Sequence, residues 1–245
     1  MTVKSADRTI EVLEVLARST TSLSLADLHE ELGYPKSSLY TLLQTLVARR
    51  WVETDMRGGL YRIGVGALLA GTSYLDRDPV ARVAAPVLEE VRTEVNETVH
   101  LARLDGASIV YLASRESQHH LRTVSRVGRR LPAYATALGR AILANRPDGA
   151  DLVPKHPEVL SPKGIADRDT ILAELELASA RGYSAESEQT NPGLGCRAVV
   201  LGYNDPVTDA LSCSVPLARL DEQHGEKIVN TLLDASRRIT DLLMR

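Results

Sequence analysis

Residues 24–63 read SLADLHEELGYPKSSLYTLLQTLVARRWVETDMRGGLYRI, and in that stretch helix, tight turn, helix and glycine-tipped hairpin follow one another with almost no spare residues. Ser24 is placed to cap a short helix, with Asp27 three positions on as a weak form of a capping box and Leu25, Leu28 and Leu32 as the apolar stripe. Gly33 ends it. Pro35 sits where a first helical turn tolerates a missing N–H, and Leu39, Leu42, Leu43, Leu46 and Val47 then recur at helical spacing. Residues 51–55 and 60–63 read as two short strands around Met56-Arg57-Gly58-Gly59, a turn whose glycines permit positive φ. This is the order of a winged helix-turn-helix.

The polar side of the second helix gives that order a use. At about 100° per residue, Lys36, Ser37, Tyr40, Thr41 and Gln44 fall in one arc of roughly 140°, with Ser38 beside them at the helix start, and none is acidic. Such groups donate to phosphates and base edges, and Arg57 stands at the wing tip. Any amphipathic helix has a polar face, so the arc alone is equally a solvated surface. Joined to the short turn and the wing, it predicts a head that binds duplex DNA. Positive and negative residues nearly balance over 1–63 and the whole chain carries a formal charge of -3. Attraction to DNA is therefore local, at Lys36, Arg49, Arg50, Arg57 and Arg62, rather than global.

A chain of 245 residues accommodates two modest domains. Upstream of the turn motif, Ile10, Leu13, Leu16 and Ala17 predict a first amphipathic helix, which completes a head over residues 1–63. Residues 65–75 read as a linker helix within a 64–78 connection that Asp76-Arg77-Asp78-Pro79 breaks. From residue 79 to 245 the pattern is a helix from Pro79, then a hairpin turning at Asp105-Gly106, with strands at 98–104 and 108–113. A strand over 121–127, a helix over 136–144 and a helix closed by Gly182 follow. Strands at 183–188, 198–203 and 207–215 and a long last helix complete it. Hairpins separated by helices, without regular βαβ alternation, predict an α+β domain with a mainly antiparallel sheet flanked by helices. No apolar stretch is long enough to span a membrane and no signal peptide opens the chain, so the expected location is the cytoplasm. Cys196 and Cys213 cannot build a disulfide framework or, without further ligands, a zinc site. No cofactor and no metal are assigned.

Three features of the second domain are suited to a small ligand. Thr136 stands at a helix start, where the free amides of Ala137 and Leu138 face an incoming anion. Ser212 and Ser214, two apart on a strand, share one face while Cys213 takes the other. Gly193-Leu194-Gly195 reads as a loop whose backbone a ligand can approach closely. Each has a plainer reading as a cap, a satisfied strand hydroxyl or a turn. The basic stretch with His119, His120, Arg122, Arg126, Arg129 and Arg130 reads as a solvated or interface loop, and His100 as a satisfied strand histidine.

Asp7-Arg8, Leu32-Gly33-Tyr34-Pro35-Lys36-Ser37-Ser38 and Tyr61-Arg62-Ile63-Gly64 resemble the IclR family of bacterial transcription regulators. Glu97-Thr98-Val99-His100-Leu101, Val127-Gly128-Arg129-Arg130-Leu131-Pro132, Ala135-Thr136-Ala137-Leu138-Gly139-Arg140-Ala141 and Gly193-Leu194-Gly195-Cys196 resemble its C-terminal domain, in order. The resemblance implies a GAF-like effector domain whose pocket takes Leu121, Val124, Ala137, Leu138, Glu186, Leu194, Cys196, Ser212 and Ser214, with Leu121, Val124 and Leu138 as the apolar wall. It implies a small organic or aromatic acid, or a related compound, as effector, and Glu186 would repel a carboxylate unless it met a hydroxyl or were protonated. The resulting expectation is a ligand-responsive regulator, a repressor of a catabolic operon. As a homodimer, or a tetramer made of two dimers, it would read a near-palindromic double-stranded operator. Two alternatives use the same residues: a redox-responsive regulator built on Cys196, and a thiol enzyme with Cys196 as nucleophile assisted by His100 or Glu186. No motif around Cys196 activates it, so the chain is not expected to be an enzyme.

Overall fold

The computed structural model describes residues 3–123 and 127–245, and the chain divides into two compact units, Met1–Arg77 and Asp78–Arg245. In the first, helices α1 (Lys4–Arg18), α2 (Leu25–Leu32) and α3 (Lys36–Ala48) precede a hairpin of β2 (Val52–Thr54) and β3 (Leu60–Ile63). The two-residue β1 (Leu23–Ser24) adds to the other edge of β3, giving the antiparallel order β1-β3-β2. The capping box at α2 is complete: Asp27 N–H donates to Ser24 Oγ at 3.2 Å and Ser24 N–H to Asp27 Oδ2 at 2.8 Å. Gly33 caps the other end at φ 70°, a left-handed conformation that costs glycine nothing. Pro35 is the residue before α3 rather than inside its first turn.

Leu28, Leu39, Leu43 and Leu46 meet Val12, Val15 and Leu16 of α1, with Val52 and Tyr61 of the wing closing the core. The α1 stripe is therefore shifted from the predicted one, since Ile10 is exposed and the helix turns Val12 and Val15 inward instead. Helix α4 (Val65–Arg77) starts where Gly66 N–H donates to Arg50 O at 2.8 Å. It buries no side chain and leaves Leu68, Leu69 and Tyr74 exposed.

The second unit is a six-stranded antiparallel sheet in the order β6-β5-β4-β9-β8-β7. Its strands are β4 (Thr98–Asp105), β5 (Ser108–Arg115), β6 (Arg130–Pro132), β7 (Ser184–Ser187), β8 (Leu194–Val200) and β9 (Asp209–Pro216). Helices α5 (Pro79–Val95) and α8 (Glu222–Leu243) pack together over one face, and α6 (Ala137–Leu143) lies on the other, with α7 (Arg168–Arg181) beside it and β7. The α+β architecture with a mainly antiparallel sheet is as the hairpin pattern predicts.

Two expectations are corrected here. The described parts of 121–127 form no strand: Thr98 Oγ1 donates to Thr123 O and Arg219 Nη2 to Leu121 O, so side chains rather than a neighbouring strand satisfy that backbone. The edge strand is instead Arg130–Pro132. Of the expected loop Gly193-Leu194-Gly195, Leu194 and Gly195 instead open β8. A Cβ on Gly195 would stand 2.4 Å from a methyl of Leu220, so a larger residue there would push that side chain aside. The glycine marks a close approach inside a strand rather than a turn.

Candidate functional site

On the head, Lys36, Ser37, Tyr40, Thr41 and Gln44 are exposed on one side of α3, and Ser38 is half-buried. Tyr40 shows half its surface to solvent. Thr41 Oγ1 donates to Ser37 O at 3.1 Å, so toward a base edge it offers lone pairs and a methyl group. The wing turn is held from within: Asp55 Oδ1 accepts from the amides of Gly59 and Leu60 at 2.9 and 3.1 Å, and these bonds hold its carboxyl below the usual carboxylate range. Gly58 takes φ 69°, and Arg57 stands exposed at the tip. Arg62 differs, because its guanidinium bonds Glu53 on β2 at 3.0 and 3.2 Å.

In the second unit a cavity opens between the sheet and the start of α6. Of the residues read from the sequence, Thr136, Ala137, Leu138, Glu186, Cys196, Ser212 and Ser214 line it. Antiparallel register explains how they meet: Cys196 pairs with both Glu186 and Ser214, and Ser212 pairs with His100. Leu194, one turn of the pleat before Cys196, is half-buried and is not among the lining residues. Leu121 is two-thirds exposed; its backbone is tied to Arg219, which carries the side chain outward rather than into an apolar wall. Val124 lies outside the described residues.

The lining also takes His100, Tyr111, Thr123, Arg129, Thr190 and Asn191, none of which the sequence reading placed there. The register of β4 and β5 shifts at Leu101/Ala102, and this bulge sets both Tyr111 and Ser114 on the His100 side of the sheet. Ser114 Oγ lies 3.0 Å from His100 Nδ1, and the Tyr111 ring meets the imidazole edge-on at 5.3 Å. Arg129, read as part of a solvated loop, reaches the cavity by the turn that leads into β6.

The polar groups of the cavity are unequally satisfied. Thr136 Oγ1 already accepts from Gly139 N–H at 3.0 Å, and Thr190 Oγ1 donates to Ala135 O at 3.3 Å. Glu186 is buried, with Oε2 accepting from Gln189 N–H at 2.8 Å. Thr123 Oγ1 is buried without a partner among the described residues. Cys196 Sγ lies 3.3 Å from Ser214 Oγ, and burial, reinforced by the Glu186 charge, pushes its thiol well above the usual range. Cys213 points to the other face, where burial likewise raises its thiol. Both sulfurs are thus kept as thiols, the unreactive form toward oxidants and electrophiles. The cavity measures about 30 Å³, room for about one water.

Burial and the nearby Arg129 charge pull His100 from 6.5 to about 4. A histidine that is neutral when folded but charges near 6.5 when unfolded makes unfolding take up a proton between those values. Stability from this residue is complete above pH 6.5 and falls as pH drops toward 4, by about 3 kcal/mol. Denaturant melts at pH 7 and pH 4.5 should therefore show a smaller acid loss in His100→Gln than in the parent. An equal loss in both would mean that the imidazole titrates normally.

Residues 72–241 match the family described as "Bacterial transcriptional regulator IclR C-terminal", and residues 5–56 the "IclR helix-turn-helix domain". The chain belongs to the IclR family. Its relatives include the HTH-type transcriptional repressor AllR of Escherichia coli K12, 30% identical over 242 residues that cover 95% of this chain and 89% of AllR. An IclR regulator structure from Alicyclobacillus acidocaldarius superposes with a TM-score of 0.87 at 23% identity, covering both chains fully. An IclR homologue from Microbacterium hydrocarbonoxydans, crystallised with 4-hydroxybenzoate, gives 0.80 at 24% identity, covering 98% of each chain. As an IclR-family member the protein is a DNA-binding transcriptional regulator. No described helix is long and apolar enough to cross a membrane.

Proposed function

We propose that the protein is a ligand-responsive repressor of a catabolic operon. It binds a near-palindromic operator through α3 and the wing and is switched by a small organic or aromatic acid in the cavity beside α6. The observation that carries this reading is that cavity. Residues from four separate stretches of sequence, at 136–138, 186, 196 and 212–214, converge on a buried, hydroxyl-rich space of the kind that orients a small polar ligand. AllR is a named repressor, and the Microbacterium homologue holds an aromatic acid. Both support the reading.

In this assignment residues 1–63 form the DNA-binding domain, 64–78 the linker helix and 79–245 the effector and oligomerisation domain. Lys36, Ser37, Ser38, Tyr40, Thr41 and Gln44 enter the major groove, Arg57 meets the backbone, and Arg62 acts through its pair with Glu53. The exposed Leu68, Leu69 and Tyr74 of α4 are the apolar surface through which two copies would pair, which a two-fold operator requires. Two such dimers could associate further through the effector domains.

Space for one water is too little for any organic acid, so effector binding widens the cavity. A ligand that binds the wider state better shifts the population toward it, which is the differential affinity a switch needs. The test is the double change Ser212→Ala/Ser214→Ala. DNA affinity without effector stays within twofold, while effector affinity falls by about 10–100-fold as two hydroxyl partners are lost. A variant that still releases DNA at the parent's effector concentration would place the pocket elsewhere.

A further inference from the structure

Two charged residues line the cavity at once, the buried Glu186 and the exposed Arg129. Glu186 is 4% exposed and accepts only neutral donors, the Gln189 amide and the Cys196 thiol. Among the described residues it has no ion pair. Arg129 lines the same cavity and likewise makes no ion pair among the described residues. Its guanidinium lies close enough to His100 and Tyr111 to act on both. The cavity thus has a cationic end and an anionic end with the Tyr111 ring sharing the space, and the two ends do not bridge each other.

Arg140 acts on Glu186 through space without an ion pair between them, and a buried carboxylate is costly unless its lone pairs are filled by donors. A guanidinium at the mouth of a low-dielectric site favours an anion over water. His100 adds no second positive charge, because it is neutral above pH 4. Thr136 adds no free cap oxygen, since that oxygen is bonded to Gly139. A plain acid would satisfy Arg129 and leave its far end facing Glu186 with nothing to offer. A neutral alcohol or amine would do the reverse.

We propose that the effector is dipolar, a small acid whose carboxylate meets Arg129 and whose opposite end presents an O–H or N–H donor to Glu186. This rests on the reading of the cavity as the effector site and narrows it to one chemical class. It also removes the apparent conflict of a carboxylate in an acid-binding pocket, because Glu186 selects the donor rather than repelling the anion.

The test is calorimetry of the full-length protein against two matched sets. One contains 4-hydroxybenzoate with its amino, methoxy and primary-amide analogues; the other contains glycolate, glycine, methoxyacetate and glycolamide. In the set that binds, the hydroxy or amino acid exceeds both the methoxy acid and the amide by about 10–100-fold, and the stronger of the two names the donor. Arg129→Gln removes most of the preference for the acid over the amide. Glu186→Gln removes most of the preference for hydroxyl over methoxy.

A methoxy acid or an amide binding as tightly as the dipolar acid overturns the proposal while leaving the effector site in place. So does an Arg129→Gln protein with the parent's preference for acid over amide. If no member of either set binds a protein that still binds DNA, the effector reading falls, and this proposal with it.

Discussion

Gly139→Ala should destabilise the second unit by about 3 kcal/mol or more, and lower its melting temperature by roughly 6–12 °C, as expected for a unit of this size. The reason is backbone against backbone. A Cβ on Gly139 would stand 2.1 Å from Ala133 O and 2.4 Å from Ala133 Cα, and neither atom belongs to a side chain that could swing away. Ala133 is fully buried, in the 3-10 turn Ala133–Ala135 that leads into α6. Relief therefore requires the turn and the helix to separate, which also moves Thr136, Ala137 and Leu138 at the cavity. Effector affinity should fall along with stability. Gly202→Ala is the contrast within the same unit, for nothing lies within 4 Å of a Cβ there and its φ is not left-handed. It should be neutral or stabilising by up to about 1 kcal/mol. Thermal melts of the two variants settle the matter, and equal melting temperatures would mean that the turn yields without cost.

That contact illustrates what could and could not be seen in the sequence. Local chemistry was legible wherever one residue type answers one local need, as with the Ser24/Asp27 capping box, left-handed Gly33 and the hairpin turn with Gly106 at φ 60°. The facing of Ser212 and Ser214 was legible as well, because parity along a strand is independent of what the strand pairs with. His100 and Tyr111 were not. His100 reaches the cavity through its register with Ser212, and Tyr111 through a bulge, and neither pairing nor bulge is written in the residues themselves. Arg129 was misread for a related reason: a cluster of basic residues looks uniform in sequence, and only the path of the chain into β6 sets this one, still exposed, at the rim of the cavity. Leu121 shows the converse. The family resemblance implied an apolar wall at Leu121, yet Arg219, paired with Glu97 by bonds of 2.6 and 2.7 Å, donates to Leu121 O, holding that segment by its backbone and leaving the leucine at the surface.

For the head, the double change Lys36→Ala/Arg57→Ala should weaken operator binding by roughly 10²–10³-fold at physiological salt and flatten its salt dependence. Each phosphate contact releases condensed counterions and contributes about 0.9 to the slope of log affinity against log salt. Two charges per head in a dimer therefore remove about 3.6 from that slope. The structure makes this a clean measurement. Both side chains are exposed, neither belongs to the core formed by Val12, Leu28, Leu39 and Leu43, and the wing turn is held by Asp55 rather than by Arg57. Folding should be unaffected. Arg62→Ala separates local from bulk charge, because the Arg62 guanidinium is already matched by Glu53 at 3.0 Å and its loss should lower the slope by clearly less than one of the other two. Ser37, Tyr40, Thr41 and Gln44 carry no charge, so changing them should leave the slope alone and instead cost about 1–3 kcal/mol of discrimination between operator and mismatched sites. Titrations at several salt concentrations, with specific and scrambled duplexes, read both quantities together. A double variant with the parent's slope would remove α3 and the wing from the DNA interface. A slope that drops by about 1.8 instead of 3.6 would keep the interface but leave a single head on each site.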